Sequence, residues 1–266
     1  MVKKLIKYDF MSFAKVMLPI EIVLLGIAAL YRILSFFETD SVTYDIFNVS
    51  AIVIFSIATF ASFLITFILS IVRFYKNLFT SEGYLSLTLP VTTQAHIVSK
   101  LIVSLIFDLI ALVCAGVAFC IATAGDVLVE VTKAAFFLFG KAEYVIGGQI
   151  WLYVIEAVVL ALVAAASMHL LTYMCISIGQ TAKKHKILPA VGIYFGVYVA
   201  KQIVGTVFIT TGVTTNMFRD IGRFITDNPR TATHLVFAVS ILVELVLSAV
   251  YFIVTRLMMK KKLNLE

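Results

Sequence analysis

Six apolar runs set the fold: residues 16–37, 49–72, 97–124, 150–178, 187–211 and 235–255. Each exceeds the roughly 20 helical residues, at 1.5 Å apiece, that cross about 30 Å of hydrocarbon. Residues of the apolar class make up 62% of the chain and charged residues 14%. Soluble domains sit near about 45–50% and 25%. A water-soluble chain of 266 residues has no interior large enough to hide that much apolar surface. The expected fold is therefore all-α: a polytopic membrane protein with six transmembrane helices in one transmembrane domain, residues 1–266.

An amphipathic stretch precedes the first run. At 100° per residue Val2, Ile6, Phe10, Phe13 and Met17 share one face, and Lys3, Lys4, Lys7 and Lys15 share the other. Residues 1–15 thus read as an N-terminal interfacial helix, lysines toward anionic head groups. Pro19 then falls in the first turn of the first span, where a missing N–H costs little. The fourth run is longer than a crossing requires, so its helix tilts or protrudes.

Orientation follows from the Lys and Arg count. One side holds Lys3, Lys4, Lys7, Lys15, Arg73, Lys76, Lys100, Lys183, Lys184, Lys186, Arg256, Lys260, Lys261 and Lys262. The other holds Lys133, Lys141, Arg219, Arg223 and Arg230. The richer side is cytoplasmic by the positive-inside rule, which puts both termini in the cytoplasm of a multi-pass cell-membrane protein. The acidic stretch with Glu38, Asp40 and Asp45 is then external. So are residues 125–148, whose apolar middle, 134–139, dips toward the interface, and residues 212–234, which carry a short amphipathic helix ending near Asn228-Pro229. The net charge of +6 belongs to this topology pattern, so no nucleic-acid partner is expected.

Motifs exclude several chemistries. The chain contains no G-x-x-x-x-G-K-[ST], no H-E-x-x-H and no G-x-S-x-G. It is not a self-contained ATPase, and no catalytic residues are assigned. Its three cysteines, Cys114, Cys120 and Cys175, lie inside apolar runs without metal-type spacing. His96, His169, His185 and His234 are scattered too, so neither a metal site nor another bound cofactor is expected.

Ionisable residues inside spans are costly and usually face the bundle interior. Glu21 and Arg32 lie near span ends, where they can snorkel to the interface. Asp108, Glu156, His169, Lys201 and Glu244 lie deeper. Equal depth suggests Lys201 with Glu156 or Glu244, and Asp108 with His169, either as structural pairs or along a translocation path. Gly192, Gly196 and Ala200 line one face of the fifth span, and Ala157, Ala161 and Ala165 one face of the fourth. Such faces let helices approach closely, here within one bundle in preference to a subunit interface.

The segment between the second and third spans is too polar to cross and too apolar to be a free loop. It reads Arg73-Phe74-Tyr75-Lys76-Asn77-Leu78-Phe79-Thr80-Ser81-Glu82-Gly83-Tyr84-Leu85-Ser86-Leu87-Thr88-Leu89-Pro90-Val91-Thr92. With Ser99-Lys100 beyond it, and with the opening Lys7-Tyr8-Asp9-Phe10 before an amphipathic stretch and a Pro-containing span, it resembles the permease subunits of bacterial type-2 ATP-binding cassette exporters. The layout of the whole chain is similar to theirs, although only this loop is specific in sequence. The resemblance implies an ATPase-coupling loop carried by Phe79, Glu82, Gly83, Tyr84, Leu85 and Pro90. It also implies a cytoplasmic ATPase subunit and a second permease subunit, the same or different, as partners in the bilayer. ATP hydrolysis would then belong to a separate chain. The alternative is a membrane protein without a transport role, such as an immunity or sensor protein. No motif in the spans identifies a cargo.

Overall fold

The computed structural model describes residues 2–35, 42–80, 83, 91–123, 126–146, 150–182 and 186–261, and every regular element among them is an α-helix. In chain order these are α1 (Val2–Ser35), α2 (Val42–Phe79), α3 (Thr93–Ala122), α4 (Asp126–Ile146), α5 (Ile150–Gly179), α6 (Ile187–Thr214), α7 (Met217–Asp227) and α8 (Pro229–Lys261). Six of them, α1, α2, α3, α5, α6 and α8, are long and apolar enough to cross a membrane. Their outer faces are apolar. Ile203, Val204 and Phe208 of α6 and Val236 and Leu242 of α8 are each more than half exposed. Patches of that extent are not left facing water, whereas hydrocarbon solvates them. The chain is a multi-pass membrane protein.

It divides into two compact units. The first, Met1–Phe74 with Gln94–Leu138, is built on α1, most of α2, and α3. Phe13 and Met17 of α1 pack with Val103 and Phe107 of α3, closed by Ile65 and Leu69 of α2. The Phe13 and Phe107 rings stack 4.4 Å apart. Further along, Leu24 and Ala28 meet Ala118 and Ala122, with Phe55 and Ala58 alongside. Residue numbers rise together on α1 and α3 and fall on α2, the order that three successive crossings require. The second cluster is built largely on alanines, the first on aromatic rings.

The amphipathic N-terminal segment is the first half of α1 rather than a separate element, so Pro19 lies inside a 34-residue helix and not in a first turn. The apolar face expected to meet lipid is instead taken up by protein, since Ile6 and Phe10 pack on the Phe13–Phe107 cluster. Lys3, Lys4, Lys7 and Lys15 are exposed, as amphipathicity requires. Pro19 is exposed, on the side of α1 away from the packed residues Met17 and Leu24.

The second unit is Tyr75–Thr93 with Phe139–Glu266. Here α5 packs chiefly on α8 and next on α6, while α7 bridges α6 and α8. At the turn from α6 to α7, Asn216 adopts the left-handed conformation, φ 58°, which asparagine tolerates better than most residues. Its carbonyl accepts the backbone N–H groups of Arg219 and Asp220. Phe218 then lies edge-on to Phe208, with ring centroids 6.0 Å apart.

Helix boundaries depart from the apolar runs in a consistent direction. α2 continues to Phe79 and α3 starts at Thr93, so part of the presumed loop is helical. Charge ends an apolar run but does not end a helix. Phe74, Leu78 and Phe79 are buried, and that packing carries α2 past Arg73. Residues 126–146, read as an external segment, form α4, on which Phe136, Phe137 and Leu138 are strongly exposed.

Candidate functional site

In the first unit, the base of α1 is fastened by polar groups. Asp9 accepts a hydrogen bond from Ser99 Oγ at 2.7 Å on Oδ2 and an ion pair from Lys100 Nζ at 3.0 Å on Oδ1. The Asp9 and Lys100 side chains are only 14% and 9% exposed. Both carboxylate oxygens are thus engaged by adjacent residues in the second turn of α3. Nearby, the Arg73 guanidinium donates to the Ser12 carbonyl and lies 5.1 Å from the centre of the Phe13 ring. A cation over an aromatic face is itself attractive. Asp9 and Ser99-Lys100 belong to sequence fragments ninety residues apart. Their spacing gave no reason to join them, and helix packing does.

Higher on α1, Glu21 does not reach the interface. It is 2% exposed and accepts a hydrogen bond from Ser62 Oγ of α2 at 2.7 Å. Its other oxygen, Oε2, has no hydrogen-bond partner among the described residues. A span counted from residue 16 puts Glu21 near an end and within reach of the interface, but α1 starts at Val2. In that longer helix, Glu21 is well inside.

The ATPase-coupling residues fall partly on described structure. Phe79 closes α2 and is 1% exposed, so its ring is held by the chain itself. Gly83 is also buried, and its N–H donates to the Thr80 carbonyl at 2.8 Å. A Cβ at Gly83 would sit 2.6 Å from the backbone carbon and oxygen of Leu78. The turn off α2 therefore requires glycine by close approach of backbone. Glu82, Tyr84, Leu85 and Pro90 lie outside the described residues.

No family model, no curated protein and no solved structure matches this chain. Its chemistry has to be read from its own geometry.

In the second unit, the intramembrane charges are arranged differently from the depth-based pairing. Glu156 of α5 pairs with His234 of α8, Nδ1 lying 2.8 Å from Oε1 and 3.0 Å from Oε2. The His234 ring also stacks on Tyr153 at 4.4 Å. Glu156 is therefore not the partner of Lys201. Both helices enter from the same side, and the two residues lie six and five positions from their helix starts. Equal depth was the right criterion. The apolar run that marks the sixth span starts at residue 235, whereas α8 starts at Pro229 and so includes His234.

Lys201 instead lies 5.7 Å from the centre of the Tyr251 ring. It shares with Glu244 a cavity of about 240 Å³, walled also by Ser167, Met168, Leu171, Tyr194 and Tyr198. Lys201 and Glu244 thus face one space without closing an ion pair. Asp108 is partly buried on α3 in the first unit. His169 is buried on α5 in the second, its ring 6.3 Å from that of Tyr173. Among the described residues, no group of three or more His, Cys, Asp or Glu could hold a metal ion.

The small-residue faces also differ from expectation. A Cβ at Gly192 or Gly196 would meet nothing within 4 Å, and Gly192, Gly196 and Ala200 are exposed. Within the described chain, that face of α6 packs against nothing.

Proposed function

We propose that this chain is the transmembrane permease subunit of an ATP-binding cassette exporter. It resides in the cell membrane with both termini in the cytoplasm, works with a second permease subunit, and is driven by a separate cytoplasmic ATPase. ATP binding closes the ATPases, and residues 80–92 pass that motion to the spans. Such a change needs only two alternative packings of rigid helices.

The observation that carries the reading is the Asp9–Ser99–Lys100 cluster. Both fragments resemble the same permease family, and the fold joins them at the start of the helix that follows the coupling loop. A displacement at Thr93 would be transmitted to α3 and, through that cluster, to α1. The tight turn at Gly83 supports the same role, because it seats Gly83 closely on the end of α2.

The experiment is co-purification of an ATPase encoded beside this chain, one bearing G-x-x-x-x-G-K-[ST]. Tyr84→Ala and Glu82→Arg should each abolish its recovery while membrane insertion stays intact. Interface anchors of this type cost about 2 kcal/mol or more when truncated. Unchanged recovery with both variants rejects the coupling role.

A further inference from the structure

We propose that the cavity between α5, α6 and α8 is a binding site for a small zwitterion, with Lys201 holding its anionic group and Glu244 its ammonium group. The cavity lies near the midpoint of each helix: Lys201 is central in the 28-residue α6 and Glu244 in the 33-residue α8. Charged side chains at that depth are expensive unless something of opposite charge meets them. The two face a common space of about 240 Å³ without forming an ion pair to each other. A ligand that carries both charges answers both groups at once, and one with a single charge leaves the other group without a counter-ion midway along its helix.

The walls refine the class. Met168 and Leu171 supply apolar surface, and Ser167, Tyr194 and Tyr198 supply hydroxyls. Tyr198 already accepts a hydrogen bond from Gln202 Nε2 at 3.0 Å, which leaves its own O–H to donate to an anion. Drug-sized pockets run to roughly 300–1,000 Å³. This one is smaller and suits a group the size of one amino acid or of an ethanolamine phospholipid head. The shared chemistry is an ammonium and an anion a few bonds apart. That the site lies on the cargo path rests on the exporter reading; that it binds a zwitterion does not.

The test uses the purified full-length chain in a non-ionic maltoside detergent, without any ATPase. Equilibrium binding and thermal midpoint are measured with L-leucine, N-acetyl-leucine, leucinamide and lysophosphatidylethanolamine. Each single-charge analogue should bind about tenfold or more weakly than leucine, the equivalent of one lost charge-assisted hydrogen bond. The variants should cross over. Lys201→Met should bind leucine and leucinamide equally, because the carboxylate no longer finds its partner. Glu244→Gln should bind leucine and N-acetyl-leucine equally. Each variant should still reject the other analogue, Lys201→Met binding N-acetyl-leucine and Glu244→Gln binding leucinamide more weakly than leucine, whereas a misfolded variant binds none of them. Tighter binding of lysophosphatidylethanolamine than of leucine, with the same crossover, supports the site and identifies lipid as its source. Leucine and its analogues binding alike to the wild type, or neither zwitterion binding, overturns the proposal. Zwitterion binding without ATPase recovery would remove the exporter and leave the site standing, and ATPase recovery without binding would do the reverse.

Discussion

Lys100→Met removes the charge that faces Asp9. At 3.0 Å and an effective dielectric constant of about 20, the attraction between the two groups is about 5 kcal/mol before desolvation. Desolvation cancels part of it. Breaking one partner out of a buried pair nevertheless costs about 3–5 kcal/mol, because the remaining charge stays behind. Residual exposure of 9% and 14% argues for the lower end, about 3 kcal/mol. Asp9→Asn should cost less, since its amide oxygen still accepts from Ser99. The double variant Asp9→Asn/Lys100→Met has no stranded carboxylate and should regain about 2 kcal/mol relative to the sum of the single losses. The assay is the thermal midpoint of a fluorescently tagged chain in mild detergent. Heating rate is held constant, because membrane-protein unfolding is commonly irreversible and the midpoint is then a kinetic quantity. A wild-type midpoint for Lys100→Met, or strict additivity in the double variant, would refute the role of this pair in holding α1.

Gly83→Ala should lower the same midpoint by several degrees, with reduced expression as a second readout, because its Cβ collides with Leu78 backbone at 2.6 Å; an unchanged midpoint would mean the turn is not formed. Gly196→Ala should be neutral or stabilising by about 0.5–1 kcal/mol, since helix-interior glycine is costly and its Cβ meets nothing within 4 Å; a loss of stability would reveal a neighbour on that face. His234→Phe keeps the stack on Tyr153 but leaves Glu156 without its partner, and Glu156→Gln in that background should recover part of a loss of about 1–3 kcal/mol. No recovery would dissolve the pair. Reporter fusions after Glu266 and within residues 183–186 should read cytoplasmic and a fusion at Asp40 external; a cytoplasmic signal at Asp40 would break the six-span order.

What the sequence made legible was what hydropathy measures. All six spanning helices follow from apolar length, and α7 from its amphipathic period and the Asn228-Pro229 stop. Helix ends were less accessible, because hydropathy reports lipid exposure and not hydrogen bonding. Arg73 and Lys76 closed the second run, yet α2 continues to Phe79 on the strength of buried Phe74 and Leu78. The charge pairings show a second limit. Depth along a helix can be counted from its end, whereas rotation about its axis has to come from packing. Lys201 and Glu244 share a depth and a cavity without closing an ion pair, and Glu156, nearer the start of its helix, meets His234. Asp9 and Lys100 are separated in sequence by the rest of α1 and the whole of α2, and no local pattern could bring them together. The coupling loop was the part with most sequence signal, and Glu82, Tyr84, Leu85 and Pro90 lie outside the described residues.

The Glu21–Ser62 hydrogen bond bears on how the chain enters the bilayer. As a nascent helix released alone into lipid, α1 would carry an acidic side chain to depth without its hydroxyl donor, against an insertion penalty of about 2.5–3.5 kcal/mol for charged residues at a span centre. The donor arrives only with α2, about forty residues later in synthesis. The two helices are thus suited to partition together as a hairpin, with α1 waiting beside the insertion machinery until Ser62 has emerged. Biogenesis of this protein would then begin with a pair of spans rather than with one.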